Sequence, residues 1–102
     1  MRLAILAAVL ALLAPPALAG DCTGHVVGVR PVSEYNHAAG RGFLAVRTGP
    51  GTQYGQIGEL YQGDEISVWA RQGSWYQVQC MSGRCAQPFW GQPMPNGWVF
   101  GQ

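Results

Sequence analysis

The 102-residue chain contains no lysine, and only 11% of its residues are charged. That is under half of the roughly 25% usual in globular proteins. All six basic residues are arginines: Arg2, Arg30, Arg41, Arg47, Arg71 and Arg84. A surface so poor in cations gains little from releasing counterions, which argues against a nucleic-acid partner. Metal chemistry lacks its usual spacing as well. Cys22, Cys80, Cys85, His25 and His37 are potential ligands, yet they form no C-x2-C or H-x3-H pair, so no metal is expected. Neither a phosphate-binding nor a dinucleotide-binding glycine motif is present, and no cofactor is expected. The carboxylates Glu34, Glu59 and the Asp64-Glu65 turn are scattered, with Glu59 and the Asp64-Glu65 turn reading as ordinary hydrophilic hairpin residues. No acid is obviously placed to orient either histidine, so no catalytic residue is assigned and a non-enzyme is expected.

Long apolar runs are also missing after the N-terminus. Met1-Arg2 gives a positive start, Leu3 to Ala14 is uninterrupted and apolar, Pro15-Pro16 breaks the run, and Ala17-Leu18-Ala19 offers small residues to a signal peptidase. Residues 1 to 19 read as a cleaved export signal. The run falls short of the ~20 residues a membrane-spanning helix needs, so no membrane anchor remains after cleavage. Asp21 stands between Gly20 and Cys22, which spoils a lipidation motif. Much of the 48% hydrophobic content belongs to this leader. Without Arg2, five arginines balance five acidic residues, and the mature chain is formally neutral.

What is present is turn chemistry, with 15 glycines and 7 prolines separating short apolar stretches. Strands are predicted at 25–29, 43–47, 56–60, 65–71, 75–80 and 98–100, and no segment carries apolar residues at helical spacing over ten positions. Alternation is clearest over 65–71, where Ile66, Val68 and Ala70 share the core face and Trp69 lies opposite. Leu44, Val46, Ile57, Leu60 and Val78 complete the expected interior. The class is all-β, and closure into a small barrel removes the sheet edges that invite aggregation. Pro50-Gly51 predicts a type II turn with Gly51 at positive φ. Gly63-Asp64 and Gly73-Ser74 are expected to reverse the chain.

The stretches Leu44-Ala45-Val46-Arg47-Thr48-Gly49-Pro50-Gly51, Ile57-Gly58-Glu59-Leu60 with Gly63-Asp64, Gly73-Ser74-Trp75-Tyr76-Gln77-Val78 and Gly97-Trp98-Val99 resemble the bacterial SH3 (SH3b) family in order and nearly in spacing. The resemblance implies an SH3-like barrel of five to six short strands spanning residues 20–102. It also implies a non-catalytic module for cell-wall recognition, typically of the peptide part of peptidoglycan. Two stretches depart from the family pattern: the long segment before Phe43, with Tyr35-Asn36-His37, and an inserted loop at 80–96. Long loops on a small scaffold are where specificity usually sits.

Export sets the cysteine chemistry. Thiols tend to pair in an oxidising compartment, and the Cys80 to Cys85 spacing permits a local disulfide. Cys22 is then left to stay free, to pair with another chain as a dimer, or to displace one of that pair. Eleven aromatic residues are too many for one small barrel interior, so some lie at the surface, where flat rings suit sugars or extended peptides. By resemblance, Trp75 marks the mouth of a ligand groove with Tyr54 as its neighbour, and Trp98, Trp69 and Tyr35 are further candidates. The expected partner is peptidoglycan or its peptide in the periplasm or the medium. The alternative is an adaptor or inhibitor that docks another envelope protein through the 80–96 loop.

Overall fold

The computed structural model describes residues 22–101. The expected signal peptide therefore lies outside the described residues. Six antiparallel strands form one sheet: β1 (Cys22–His25), β2 (Leu44–Arg47), β3 (Gln56–Leu60), β4 (Glu65–Gln72), β5 (Trp75–Ser82) and β6 (Asn96–Phe100). Their spatial order is β1-β4-β5-β6-β2-β3. Single 3-10 turns at Val32–Glu34 and Arg84–Ala86 interrupt the loops. The sheet coils around one core that takes residues from five of its strands: Val46, Leu60, Ile66, Val78, Cys80 and Val99 are buried, and Leu44, Ile57 and Val68 pack beside them. The all-β class and the SH3-like architecture are as the sequence predicts.

The alternation over β4 holds up to a bulge. Val68 pairs with Val78 and Ala70 with Gln77, so Trp69 is the extra residue and stands 48% exposed. The first strand lies earlier than expected, at 22–25 rather than 25–29. Val26 still exchanges backbone hydrogen bonds with Gly63 and Asp64, but Gly28 then takes a φ of 78° and turns the chain away. Gly63 and Gly73 reverse the chain as predicted, and both do so at positive φ. The type II turn does not form, since Gly51 has no positive φ. Instead its N–H donates to the Gly49 carbonyl at 2.9 Å, a γ-turn around Pro50, whose ring already restricts φ close to the required value.

Closure by strand pairing is likewise not how the edges are protected, because β1 and β3 remain the two ends of the sheet. The segment between β5 and β6 covers β3 instead. It runs over 83–95, shorter than the expected 80–96, because β5 continues to Ser82. The Gln92 N–H donates to the Ile57 carbonyl at 3.0 Å, which satisfies an edge acceptor. Contact here leaves no room for a side chain on either glycine: a Cβ on Gly91 would lie 2.8 Å from the Gly58 Cα, and one on Gly58 would lie 2.7 Å from the Pro95 Cβ. Only glycine permits that approach.

Cys80 and Cys85 form a disulfide with their Cα atoms 6.1 Å apart, and both are fully buried. It ties the start of the covering segment to β5. Cys22 is free and exposed.

Candidate functional site

Strand parity places Trp75, Gln77, Trp98, Phe100, Ala45 and Arg47 on the outer face of the β5-β6-β2 portion of the sheet, opposite Val78, Val99 and Val46. The turn after β2 folds over this face and leaves a groove of about 610 Å³ lined by Ala45, Arg47, Pro50, Gln53, Trp75 and Phe100, among others. Trp75 and Phe100 are direct cross-strand partners whose rings meet edge to face, 5.5 Å between centroids and 69° between planes. Arg47 closes one side. Its Nη1 donates to the Tyr54 carbonyl at 2.9 Å and to the Thr52 carbonyl at 3.4 Å, which fixes the turn. It pairs with no carboxylate among the described residues, and no acidic residue lines the groove. The groove therefore offers an aromatic floor beside an uncompensated guanidinium.

Of the five aromatic residues predicted for a site, only Trp75 lines this groove. The Tyr54 ring covers Gly49, where an added Cβ would lie 2.6 Å from it, and only the Tyr54 carbonyl contributes, by holding Arg47. Trp98 is half-buried beside Arg47 and Gln77, and Trp69 projects from the β4 bulge. Tyr35 belongs to a different constellation.

That constellation centres on Glu59, which is 0% exposed although it sits in the strand pattern as a polar residue. Its Oε1 accepts the Tyr61 hydroxyl at 2.5 Å, and its Oε2 accepts the Tyr35 hydroxyl at 3.0 Å and faces His37 Nδ1 at 2.5 Å. An acceptor-only carboxylate requires the proton on Nδ1. Tyr61 Oη in turn accepts the Phe89 N–H at 3.0 Å. Phe43, Phe89 and Trp90 complete the surround, with Tyr35 4.6 Å from Phe89 and 5.9 Å from Phe43 between centroids. Burial, reinforced by the hydrogen bond and charge of Glu59, pushes the Tyr35 phenol up to about 12. The Tyr61 phenol is raised as well, by burial first and the Glu59 hydrogen bond second, against the lowering effect of the Phe89 N–H. The expectation that no acid orients a histidine is thus corrected: Glu59, far from His37 in the chain, does so.

Asp64 also departs from its expectation as a hydrophilic hairpin residue, being 2% exposed. Its Oδ2 accepts the Tyr61 N–H at 2.7 Å. Burial raises its carboxyl above the ordinary value, against the lowering effect of the amide donors of Tyr61, Arg84 and Cys85 and of the Arg84 charge. No group of three or more His, Cys, Asp or Glu among the described residues is placed to hold a metal ion.

Among known proteins, residues 42–102 match the family model described as the bacterial SH3 domain. No curated protein and no solved structure matches the chain. The matched stretch covers more than half of the sequence and holds strands β2 to β6 with the whole Trp75 groove, so the chain belongs to the bacterial SH3 domain family.

Proposed function

We propose that this chain is a non-catalytic binding module, exported to the periplasm or the medium, that recognises a cell-envelope ligand, namely peptidoglycan or its peptide. The observation that carries this reading is the groove in which Trp75 and Phe100 form an apolar floor beside the Arg47 guanidinium, which pairs with no carboxylate among the described residues. An extended peptide bearing a carboxylate is complementary to it: its aliphatic parts cover the rings while the carboxylate takes the free guanidinium edge. Export rests on the leader at 1–19, with the rest of the chain from residue 20 as the mature module, and the Cys80–Cys85 disulfide is in keeping with an oxidising compartment. Of the other aromatic candidates, Tyr54 supports the groove from behind, and Trp98, Trp69 and Tyr35 lie outside it.

Co-sedimentation with purified sacculi tests the reading. The wild-type chain is retained, Trp75→Ala and Arg47→Ala lose retention while keeping the wild-type far-ultraviolet circular dichroism, and Trp69→Ala behaves as wild type. Absence of wild-type retention would overturn it. The 83–95 segment supports a second reading, docking of an envelope protein, because Phe89 and Met94 on it keep about half of their surface exposed. Under that reading, crosslinking from periplasmic extract recovers a protein and the Trp75 substitution has no effect.

A further inference from the structure

His37 is the one side chain of the 36–41 turn that enters the body of the protein. The turn closes on itself: Asn36 and Arg41 exchange backbone hydrogen bonds at 2.8 and 3.0 Å, the Gly40 N–H donates to the His37 carbonyl at 3.0 Å, and the Ala39 N–H donates to Asn36 Oδ1 at 3.1 Å. Asn36, Ala38, Ala39, Gly40 and Arg41 are all exposed. The His37 imidazole lies between Phe43 and Trp90, with centroids 5.4 and 4.5 Å away and planes within 17° and 20° of its own. Its edge meets the Glu59 carboxylate.

Two aromatic rings, each near-parallel to the imidazole they flank, beside a buried carboxylate select a particular kind of group. Flat faces stack on the rings, positive charge is attracted by the ring faces and the carboxylate, and edge N–H groups donate to oxygen. A guanidinium meets all three conditions, whereas an ammonium has no flat face and a neutral aromatic ring no fork of donors. Glu59 can accept more than it does now. Tyr35, Tyr61 and His37 use three of about four lone-pair sites, so removing the imidazole leaves one site on each oxygen for a bidentate donor. The surroundings already tolerate such a group, since the Arg84 guanidinium lies 4.9 Å from the centroid of Phe89.

We propose that His37 is a displaceable self-ligand and that the slot formed by Glu59, Phe43 and Trp90 is a binding site for the guanidinium of an arginine side chain on a partner protein. The turn swings out with its own hydrogen bonds intact, because those bonds run within residues 34–41. This site is separate from the Trp75 groove and takes a ligand of opposite charge.

The probe is methylguanidinium at concentrations well below denaturing, titrated into the full chain and followed by nuclear magnetic resonance, with sodium chloride of equal ionic strength as the control. Saturable shifts of the His37 ring signals with loss of the His37–Trp90 cross-peak are expected in the wild type. His37→Gly binds the probe at least about tenfold more tightly, since a slot open ~10% of the time or less lowers apparent affinity by that factor. Trp90→Leu, which keeps Glu59 and the turn, loses binding. The proposal is overturned if methylguanidinium does not displace His37 in the wild type, even where His37→Gly takes it up, because the histidine is then a fixed anchor. Full affinity in Trp90→Leu also overturns it.

Discussion

Asp64 Oδ2 accepts the backbone N–H of Cys85 at 3.2 Å, joining the turn between β3 and β4 to the half of the disulfide that lies outside the sheet. The same oxygen accepts Tyr61 N–H, so one buried carboxylate organises the turn and the start of the segment that covers β3. Its protonation is coupled to folding. Burial holds the folded-state carboxyl above its ordinary 3.8, so the folded chain binds this proton more tightly than the unfolded chain. The contribution is complete below about pH 3.8 and is lost as pH rises through the folded-state value. Urea denaturation of wild type and Asp64→Asn across pH 3 to 7 should show wild type losing stability relative to the variant over that rise. Parallel curves for the two proteins would refute the coupling.

Glu59 is the acceptor for three side chains at once. In Glu59→Ala the hydroxyls of Tyr35 and Tyr61 and the Nδ1–H of His37 all lose their partner, that of Tyr61 fully buried and the other two half-buried, an expected loss on the order of 3 kcal/mol. Glu59→Gln keeps one acceptor oxygen and should cost about half as much. Denaturant midpoints measure both. Equal, small losses in the two variants would mean that the cluster contributes little.

The Tyr35 and Tyr61 phenols titrate late. Spectrophotometric titration of the native protein should show phenol ionisation persisting beyond pH 10, with Tyr35 responding near its value of about 12, and Tyr35→Phe should remove part of that late amplitude. A raised folded-state phenol contributes stability that is present below pH 10 and is lost as pH climbs through about 12. Alkaline unfolding of wild type should therefore be steeper over this interval than that of Tyr35→Phe.

The disulfide acts on the covered edge of β3. Replacing Cys80 and Cys85 together by serine removes a small ring, worth about 2 kcal/mol in the loop-entropy view. The Gln92 amide, which donates to Ile57, should then exchange with solvent faster than the β4 and β5 amides do. Unchanged protection at Gln92 would show that the glycine contacts with Gly58 suffice to hold the segment.

Crowding at Gly58 provides a check on that alternative. A methyl group there lies 2.7 Å from the Pro95 Cβ, so Gly58→Ala is expected to cost about 1–3 kcal/mol and to raise aggregation by lifting the cover from an edge strand. Light scattering on heating reads the second effect.

Much of this molecule is legible from residue order. Period-two alternation and the glycines at 63 and 73 locate β3, β4 and β5 to within a few residues, because a strand's faces and a left-handed turn are decided by near neighbours. The five-residue separation of Cys80 and Cys85 makes their pairing a local matter, and parity alone puts Trp75 outside the core. Tertiary structure decided the rest. Glu59 reads as a surface residue in its strand, and nothing nearby shows that His37, 22 residues before it, supplies its donor. Nor does it show that Phe89, 28 residues beyond Tyr61, completes the network. The covering of β3 by residues 83–95 and the burial of Asp64 share that origin. Burial of a polar group depends on donors brought to it by folding, and those donors lie outside any window over which local pattern carries information.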